Sequence, residues 1–293
     1  MPSLVWKLFR LFNIGWEKTL KDNVTVINRF VFDIIEKNRK ATSSCTGRKD
    51  LVAQFLCNKS VPLPETKESF DAVYLRDILL NFVIAGRDTT AQALSWFFYE
   101  MSMNPRVLQR LREEIASTAD RVIVDNVVNG REQDHHAVVK MCESMPYLDA
   151  VIKETLRLHP SVPIDFKYCN EDDVMPNGTR VHRGIHVVYS MYVMARMCRI
   201  WGEDAEEFVP ERWLGPQGEK VSPFKFNSFN AGPRMCLGKA LATMELKMVS
   251  LVLLSTYDFV REGGNYQMHQ KPSLTLPIQG GLRVRVRPSK TSI

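Results

Sequence analysis

The sequence predicts a mainly α-helical domain with small β-sheets, and three patterns carry that expectation. Apolar residues recur at the three-to-four spacing of a helix over long stretches, most of all from Ser69 to Met103. Short β-prone pieces broken by turn residues are confined to residues 162–192 and 274–286. The 293 residues, 45% hydrophobic and 25% charged, suffice for one large core, and no repeat or low-complexity tract interrupts them.

Taken in order, Ser3 to Lys40 reads as two helices. Leu4, Val5, Leu8, Leu11 and Phe12 share a helix face, which suits an internal helix packed on a core better than an interfacial one. Lys7, Arg10, Glu17 and Lys18 interrupt this opening too early for a transmembrane segment or a signal peptide. Polar residues from Ala41 to Asp50 make a break, and Pro62 and Pro64 a second one. The long helix over about 69–103 stops at Asn104-Pro105, because proline disfavours helix in the residue before it. Val107 to Thr118 continues as a charged amphipathic helix, and Arg121 to Val139 reads as a polar connector. Met145 to His159 is a helix ended by Pro160, with Leu148, Val151, Ile152, Thr155 and Leu158 facing one way. After the β-prone stretch, in which Asn177 to Gly184 follows no regular pattern, Leu237 to Leu254 is again helical. Leu274 to Val286 reads as a hairpin, LTLPI and LRVRV around Gln279-Gly280-Gly281.

Composition excludes several functions. The net charge of +6, from 39 basic and 33 acidic side chains, is spread along the chain without a basic block, so nucleic-acid binding is not expected. The six cysteines are scattered, with neither C-x-x-C pairs nor zinc spacing, which speaks against a disulfide framework and for a reducing compartment. His135-His136 and Glu171-Asp172-Asp173 lie in polar, turn-rich segments and read as solvated loops rather than metal sites. Asp88 with Glu100, or Asp165 with Glu171, would make a hydrolase carboxylate pair only if the fold joined them, and nothing in the sequence does.

Chemistry concentrates in three places. In Phe229-Asn-Ala-Gly232-Pro-Arg234-Met-Cys236-Leu-Gly238 one cysteine sits in a glycine-bracketed turn at the amino end of a helix, where free N–H groups and the helix dipole favour a thiolate. Gly232 and Gly238 allow a flat macrocycle to approach the sulfur, and Arg234 offers a guanidinium to a carboxylate on its edge; haem iron is the expected occupant. Within the long helix, Ala85-Gly86-Arg87-Asp88-Thr89-Thr90 carries a glycine that costs about 1 kcal/mol against alanine, which points to a ligand close to the backbone. Asp88 and Thr89 would then deliver protons to bound dioxygen; the alternatives are a surface ion pair for Asp88 and a threonine bonded back to its own helix. Glu154 and Arg157 stand three apart in KETLRLHP, close enough to pair on one helix face, and Pro210-Glu211-Arg212-Trp213 follows downstream.

These motifs, in this order, resemble the cytochrome P450 superfamily of haem-thiolate monooxygenases, and the resemblance covers essentially the whole chain. It implies the carboxy-terminal part of a single cytochrome P450 fold spanning 1–293, with the oxygen-activating helix near 69–103, the Glu-x-x-Arg helix near 145–159 and the cysteine-ligand loop at 229–238. Cys236 would be the proximal iron ligand, Phe229, Gly232, Arg234, Gly238 and Gly86 would contact haem, and Asp88 and Thr89 would organise proton delivery. Arg212 would close a structural triad with Glu154 and Arg157. Full-length members carry more ahead of this, including a membrane anchor and a Trp-x-x-x-Arg helix holding haem carboxylates; that helix is expected to be missing, and Met1 to mark a fragment. Lys167 departs from members that place an arginine toward a haem carboxylate.

The segments VPIDFKY, NEDDVMPNGT and IWGEDAEEFVPERWL look most like the group that hydroxylates fatty acids and alkanes at or near the chain end. Phe82, Ala85, Val162 to Phe166, and Pro277 with Ile278 at the hairpin tip agree with a lipophilic substrate. The resemblance further implies electrons from NADPH through a flavoprotein reductase docking near Lys225, Lys239 and Lys247, and a parent on the cytoplasmic face of the endoplasmic reticulum. A haem-thiolate isomerase or dehydratase acting on peroxides, which usually lacks the acid–alcohol pair, and a non-catalytic scaffold are the rival readings.

Overall fold

The computed structural model describes residues 3–41, 52, 72–131, 135–263 and 268–289. The expected breaks at 42–50 and at Pro62 and Pro64 lie outside the described residues, as do the first residues of the long helix, 69–71. The chain divides into two units, Met1–Ala85 and Gly86–Ile293.

In the first unit, α1 (Ser3–Phe12) turns into α2 (Gly15–Ala41) through Asn13 and Gly15, both at positive φ, with the Ile14 amide donating to the Phe9 carbonyl at 3.1 Å. Val31 and Ile35, one turn apart on α2, are buried with Leu75 and Leu79, one turn apart on α3 (Ala72–Met103). The expectation that α1 packs its apolar face on a core is not met. Leu8 and Phe12 are exposed and Leu11 is 75% exposed, and the contacts of α1 are with the start of α2, where the Trp6 indole donates to Glu17 at 2.7 Å.

The remainder of α3 belongs to the second unit. There α4 (Pro105–Thr118) starts with proline at its first position, where the missing N–H costs nothing. The segment expected to be a polar connector instead forms α5 (Arg121–Val128) and α6 (His135–Glu143). Asp120 caps α5, accepting from the amides of Val122 at 2.8 Å and Ile123 at 3.3 Å, and Val124, Val138 and Met141 are buried. α7 (Pro146–Leu158) is capped from outside itself: Glu114 of α4 accepts from the amides of Tyr147 and Leu148 at 2.7 and 2.8 Å. Leu111, Ile115, Leu148, Val151 and Leu251 form the middle of the core, each worth about 1.5–3 kcal/mol in burial. Leu251 comes from α11 (Lys239–Thr256), which begins two residues later than the apolar pattern suggests, with Gly238 as its N-cap.

Among the described residues three two-stranded antiparallel sheets complete the unit. β1 (Ile164–Tyr168) pairs with β4 (His186–Ser190), setting Asp165 opposite Tyr189. β2 (Asp173–Val174) pairs with β3 (Arg180–Val181), so the irregular stretch from Asn177 is their turn, with Gly178 at φ +84°. Three one-turn helices intervene before α11: α8 (Met191–Met194), α9 (Cys198–Trp201) and α10 (Gly215–Glu219). The expected hairpin between LTLPI and LRVRV does not form. β6 (Val284–Pro288) pairs instead with β5 (Tyr257–Arg261), which leaves α11 directly. The reason is tertiary: the Leu276 amide donates to the Ser161 carbonyl at 3.0 Å and its carbonyl accepts from the Trp96 indole at 2.8 Å, so neither group is free for a ladder.

Candidate functional site

The cysteine loop enters through Phe229, which packs against the core, and reverses at Asn230 (φ +63°) and Gly232 (φ +69°) before a 3₁₀ turn over Gly232–Arg234. The Cys236 amide donates to the Phe229 carbonyl at 2.8 Å, closing the loop. Cys236 is exposed, and a Cβ placed on Gly238 would stand 3.9 Å from its sulfur, so glycine keeps the space beside the thiol clear. Arg234 is exposed and has no hydrogen-bond or ion-pair partner among the described residues. Leu237, 87% exposed, lies beside it in the loop. A lone thiol, an unpaired guanidinium and uncovered apolar side chains on a glycine-cleared loop fit a flat, apolar, carboxylate-bearing iron macrocycle.

In α7, Glu154 is fully buried and accepts five hydrogen bonds. Arg157 donates through Nε at 2.8 Å and Nη2 at 2.9 Å, Arg212 through Nε at 2.9 Å, the Trp213 indole at 2.8 Å and the Val209 amide at 2.9 Å. Arg157 also donates to the carbonyls of Ala195, Ala205 and Glu207. Glu154, Arg157 and Arg212 therefore stand together, and they brace α7 against residues 195–213.

In α3, Gly86 faces open space: an added Cβ would meet nothing within 4 Å. Asp88 is exposed and paired with its neighbour, Arg87 Nε to Asp88 Oδ1 at 2.7 Å, and this hydrogen bond holds the carboxyl below the ordinary carboxylate range. Thr89 is half-buried, and its carbonyl accepts from Ser161 Oγ at 2.8 Å, fastening α3 to the chain after α7. Next to it, the Thr90 hydroxyl is buried without a partner among the described residues.

Several expected positions need correcting. Ile278 is not at an exposed tip but buried against Trp96 and Tyr99; the exposed apolar residue of that segment is Leu274, at 85%. Lys247 does not face solvent near the loop: it is buried and paired with Asp149 at 2.7 Å, while Lys239 is exposed and Lys225 lies over the Trp201 ring at 4.7 Å. The bare spacing Trp-x-x-x-Arg occurs in α1 as Trp6 and Arg10, where the Arg10 guanidinium lies over the Trp6 ring at 5.4 Å. Lys167 pairs with Asp165 at 3.2 Å. Neither proposed carboxylate pair comes together as a pair, since Glu100 binds His159 and Asp165 binds Tyr189 and Asn230. Among the described residues no group of His, Cys, Asp and Glu is arranged to hold a bare metal ion, and no helix is long and apolar enough to cross a membrane.

Two networks escaped the sequence reading. His159 Nε2 meets Glu100 Oε1 at 2.7 Å, both buried, and the imidazole stacks on Trp96 at 4.0 Å. Burial pushes the imidazole below its usual range, against the pull of Glu100. The other joins Asp165 to Asn230; its one signal is an asparagine before Ala-Gly in the cysteine loop, a residue type that tolerates left-handed backbone.

Residues 1–282 match the family described as Cytochrome P450. Cytochrome P450 86B1 of Arabidopsis thaliana is 38% identical over 98% of this chain and 51% of its own length. Cytochrome P450 CYP94D108 of Paris polyphylla is 37% identical over 97% of the chain and 54% of its own length. Alkane hydroxylase MAH1 of Arabidopsis thaliana is 34% identical over 97% of the chain and 54% of its own length. The chain spans about half the length of the curated relatives it matches.

Proposed function

Because this chain belongs to the cytochrome P450 family, whose members are haem-thiolate proteins, we propose that it carries the cysteine-ligand half of a monooxygenase that inserts one oxygen atom of O2 into a lipophilic substrate. The name of one relative, an alkane hydroxylase, and the likeness of VPIDFKY, NEDDVMPNGT and IWGEDAEEFVPERWL to the chain-end hydroxylases support a long aliphatic chain such as a fatty acid, oxidised at or near its end. When bound, haem iron supplies the activation of O2. Cys236 would bind the iron through its sulfur, and Gly238 would leave room for the ring beside it. Arg234, unpaired on the exposed side of the loop, would hold a haem carboxylate. Asp88, an exposed carboxylate that among the described residues is bonded to Arg87, would take up protons from water transiently and relay them toward the Thr89 hydroxyl one residue on. Electrons would come from NADPH through a flavoprotein reductase, drawn to the exposed Lys239 beside the loop. The whole protein would work at the endoplasmic reticulum membrane, on its cytoplasmic face.

The observation that carries this reading is the Cys236 loop itself: an exposed thiol, a glycine-cleared space and a free guanidinium in ten residues. A chimera supplying the unmatched part of Cytochrome P450 86B1 to this chain, reduced and exposed to carbon monoxide, should give a thiolate-type Soret band that Cys236→Ala abolishes. A histidine-type band, or a thiolate-type band that survives the substitution, refutes the assignment.

A further inference from the structure

We propose that Asp165 is a positioning residue for the cysteine loop: with Tyr189 it clamps the side chain of Asn230, and through it the peptide group that hydrogen-bonds Cys236. Asp165 and Tyr189 face each other across the β1–β4 ladder. Asn230 Nδ2 donates to Asp165 Oδ2 at 2.8 Å. The Tyr189 hydroxyl, with one proton, is shared between Asp165 Oδ2 at 2.7 Å and Asn230 Oδ1 at 2.8 Å, so both ends of the amide are held. Lys167 Nζ adds a contact to the same carboxylate oxygen at 3.2 Å, and the Phe166 amide donates to the other oxygen at 2.7 Å.

The consequence follows from the covalent structure. The peptide group joining Phe229 to Asn230 is planar, so its N–H and C=O turn together. Its N–H donates to Asn227 at 2.8 Å and its C=O accepts from Cys236 N at 2.8 Å. The orientation of that plane depends on φ of Asn230, which at +63° lies in the left-handed region that asparagine tolerates more readily than most residues but that is not its main basin. A clamped side chain holds it there. The hairpin thus reaches the cysteine from outside its own loop, by four links: carboxylate, amide side chain, peptide plane and Cys236 N–H. Glycine at 230 would accept the backbone without strain but could not be clamped, which separates the two contributions.

The inference rests on the proposed role of Cys236 as an iron ligand, but its test needs no haem. Residue-resolved hydrogen exchange on the chain of 293 residues reads the Cys236 amide directly. Asp165→Ala and Asn230→Gly should each speed exchange at Cys236 by about tenfold or more and leave the β5–β6 amides unchanged, and the double variant should add nothing further. Asp165→Asn, which keeps an acceptor oxygen but no charge, should fall between, and Tyr189→Phe should give a smaller acceleration than Asp165→Ala. Unchanged exchange at Cys236 in Asn230→Gly and Tyr189→Phe overturns the proposal, whether or not Asp165→Ala folds. Equal acceleration across β5–β6 and α7 overturns it too, because Asp165 then serves general stability. Failure of the carbon monoxide experiment above would refute the ligand assignment and leave this exchange pattern standing, so the two failures are distinguishable.

Discussion

Replacing Glu154 by glutamine tests the buried network at its centre. Five donors converge on its two carboxylate oxygens, three on Oε1 and two on Oε2. Glutamine is nearly the same size, but one of its ends is an NH2 that meets donors rather than acceptors, so at least two of the five bonds become repulsive contacts. At about 1.5–3 kcal/mol per bond to a charged group, their loss alone would cost about 3–6 kcal/mol. The two guanidiniums also lose their counter-charge, Arg157 while fully buried and Arg212 while largely so, and breaking such a pair costs about 3–5 kcal/mol. The two figures describe the same event and are not summed; a loss of about 3–5 kcal/mol is expected. Against a total stability of about 5–15 kcal/mol the variant stays folded but close to its limit. Urea unfolding followed by the fluorescence of Trp201 and Trp213, whose rings lie 5.6 Å apart beside the network, gives the difference from the shift in midpoint at constant slope. A change below about 1 kcal/mol would refute the argument, because it would mean that water replaces the lost bonds and that the network is not buried in solution.

Four further outcomes are expected. Gly218→Ala should destabilise the chain by about 3 kcal/mol in the same assay, since a Cβ there would stand 2.2 Å from the Trp213 backbone; Gly86→Ala, with nothing within 4 Å, should instead stabilise it by about 0.5–1 kcal/mol while weakening haem retention in the chimera. Glu211 accepts from Arg106, Arg110 and Tyr147, and although burial opposes ionisation the bonds from Arg106, its own backbone amide and Tyr147 hold its carboxyl down to about 2. Its contribution is therefore complete above the ordinary value of 4.5 and disappears as pH falls toward 2, so the stability difference between wild type and Glu211→Gln should be flat above about pH 5 and shrink below it. In the haem-loaded chimera, Thr89→Ala should keep haem but divert reducing equivalents to peroxide, read as a larger fall in hydroxylated product than in NADPH oxidation; equal falls would place Thr89 in folding or electron transfer.

What could be read from the sequence was what local spacing and strong punctuation encode. The long helix, its end at Pro105 and the helix that stops before Pro160 follow from periodicity and proline, and the cysteine loop from its glycines. What misled was tertiary. Arg121 to Val139 looked polar because its buried residues are few, yet Asp120 supplies a cap and Val124 and Val138 a foothold in the core. LTLPI has strand composition, but Trp96 and Ser161 take the hydrogen bonds a strand would need, and both are more than a hundred residues away in sequence. Lys247 was legible as a charge and not as a buried ion pair, since Asp149 announces nothing about its partner. The clamp on Asn230 spans 65 residues to Asp165, and no spacing rule reaches that far.

The Glu154 network also has a history in time. Its bond to Arg157 is made within one turn of α7, whereas Val209, Arg212 and Trp213 lie 55 to 59 residues along the chain. The near pair costs little loop entropy, and the far partners arrive only when the whole stretch from Ala195 to Trp213 docks. Before docking, water occupies their places and the near pair is worth only what an exposed helical pair is worth. The network is therefore expected to acquire its strength late, after the rate-limiting barrier. Substitutions at Arg212 and Trp213 should register mainly as faster unfolding, with refolding rates nearly those of the wild type, so that the brace between α7 and residues 195–213 acts as a brake on unfolding and takes no part in starting the fold.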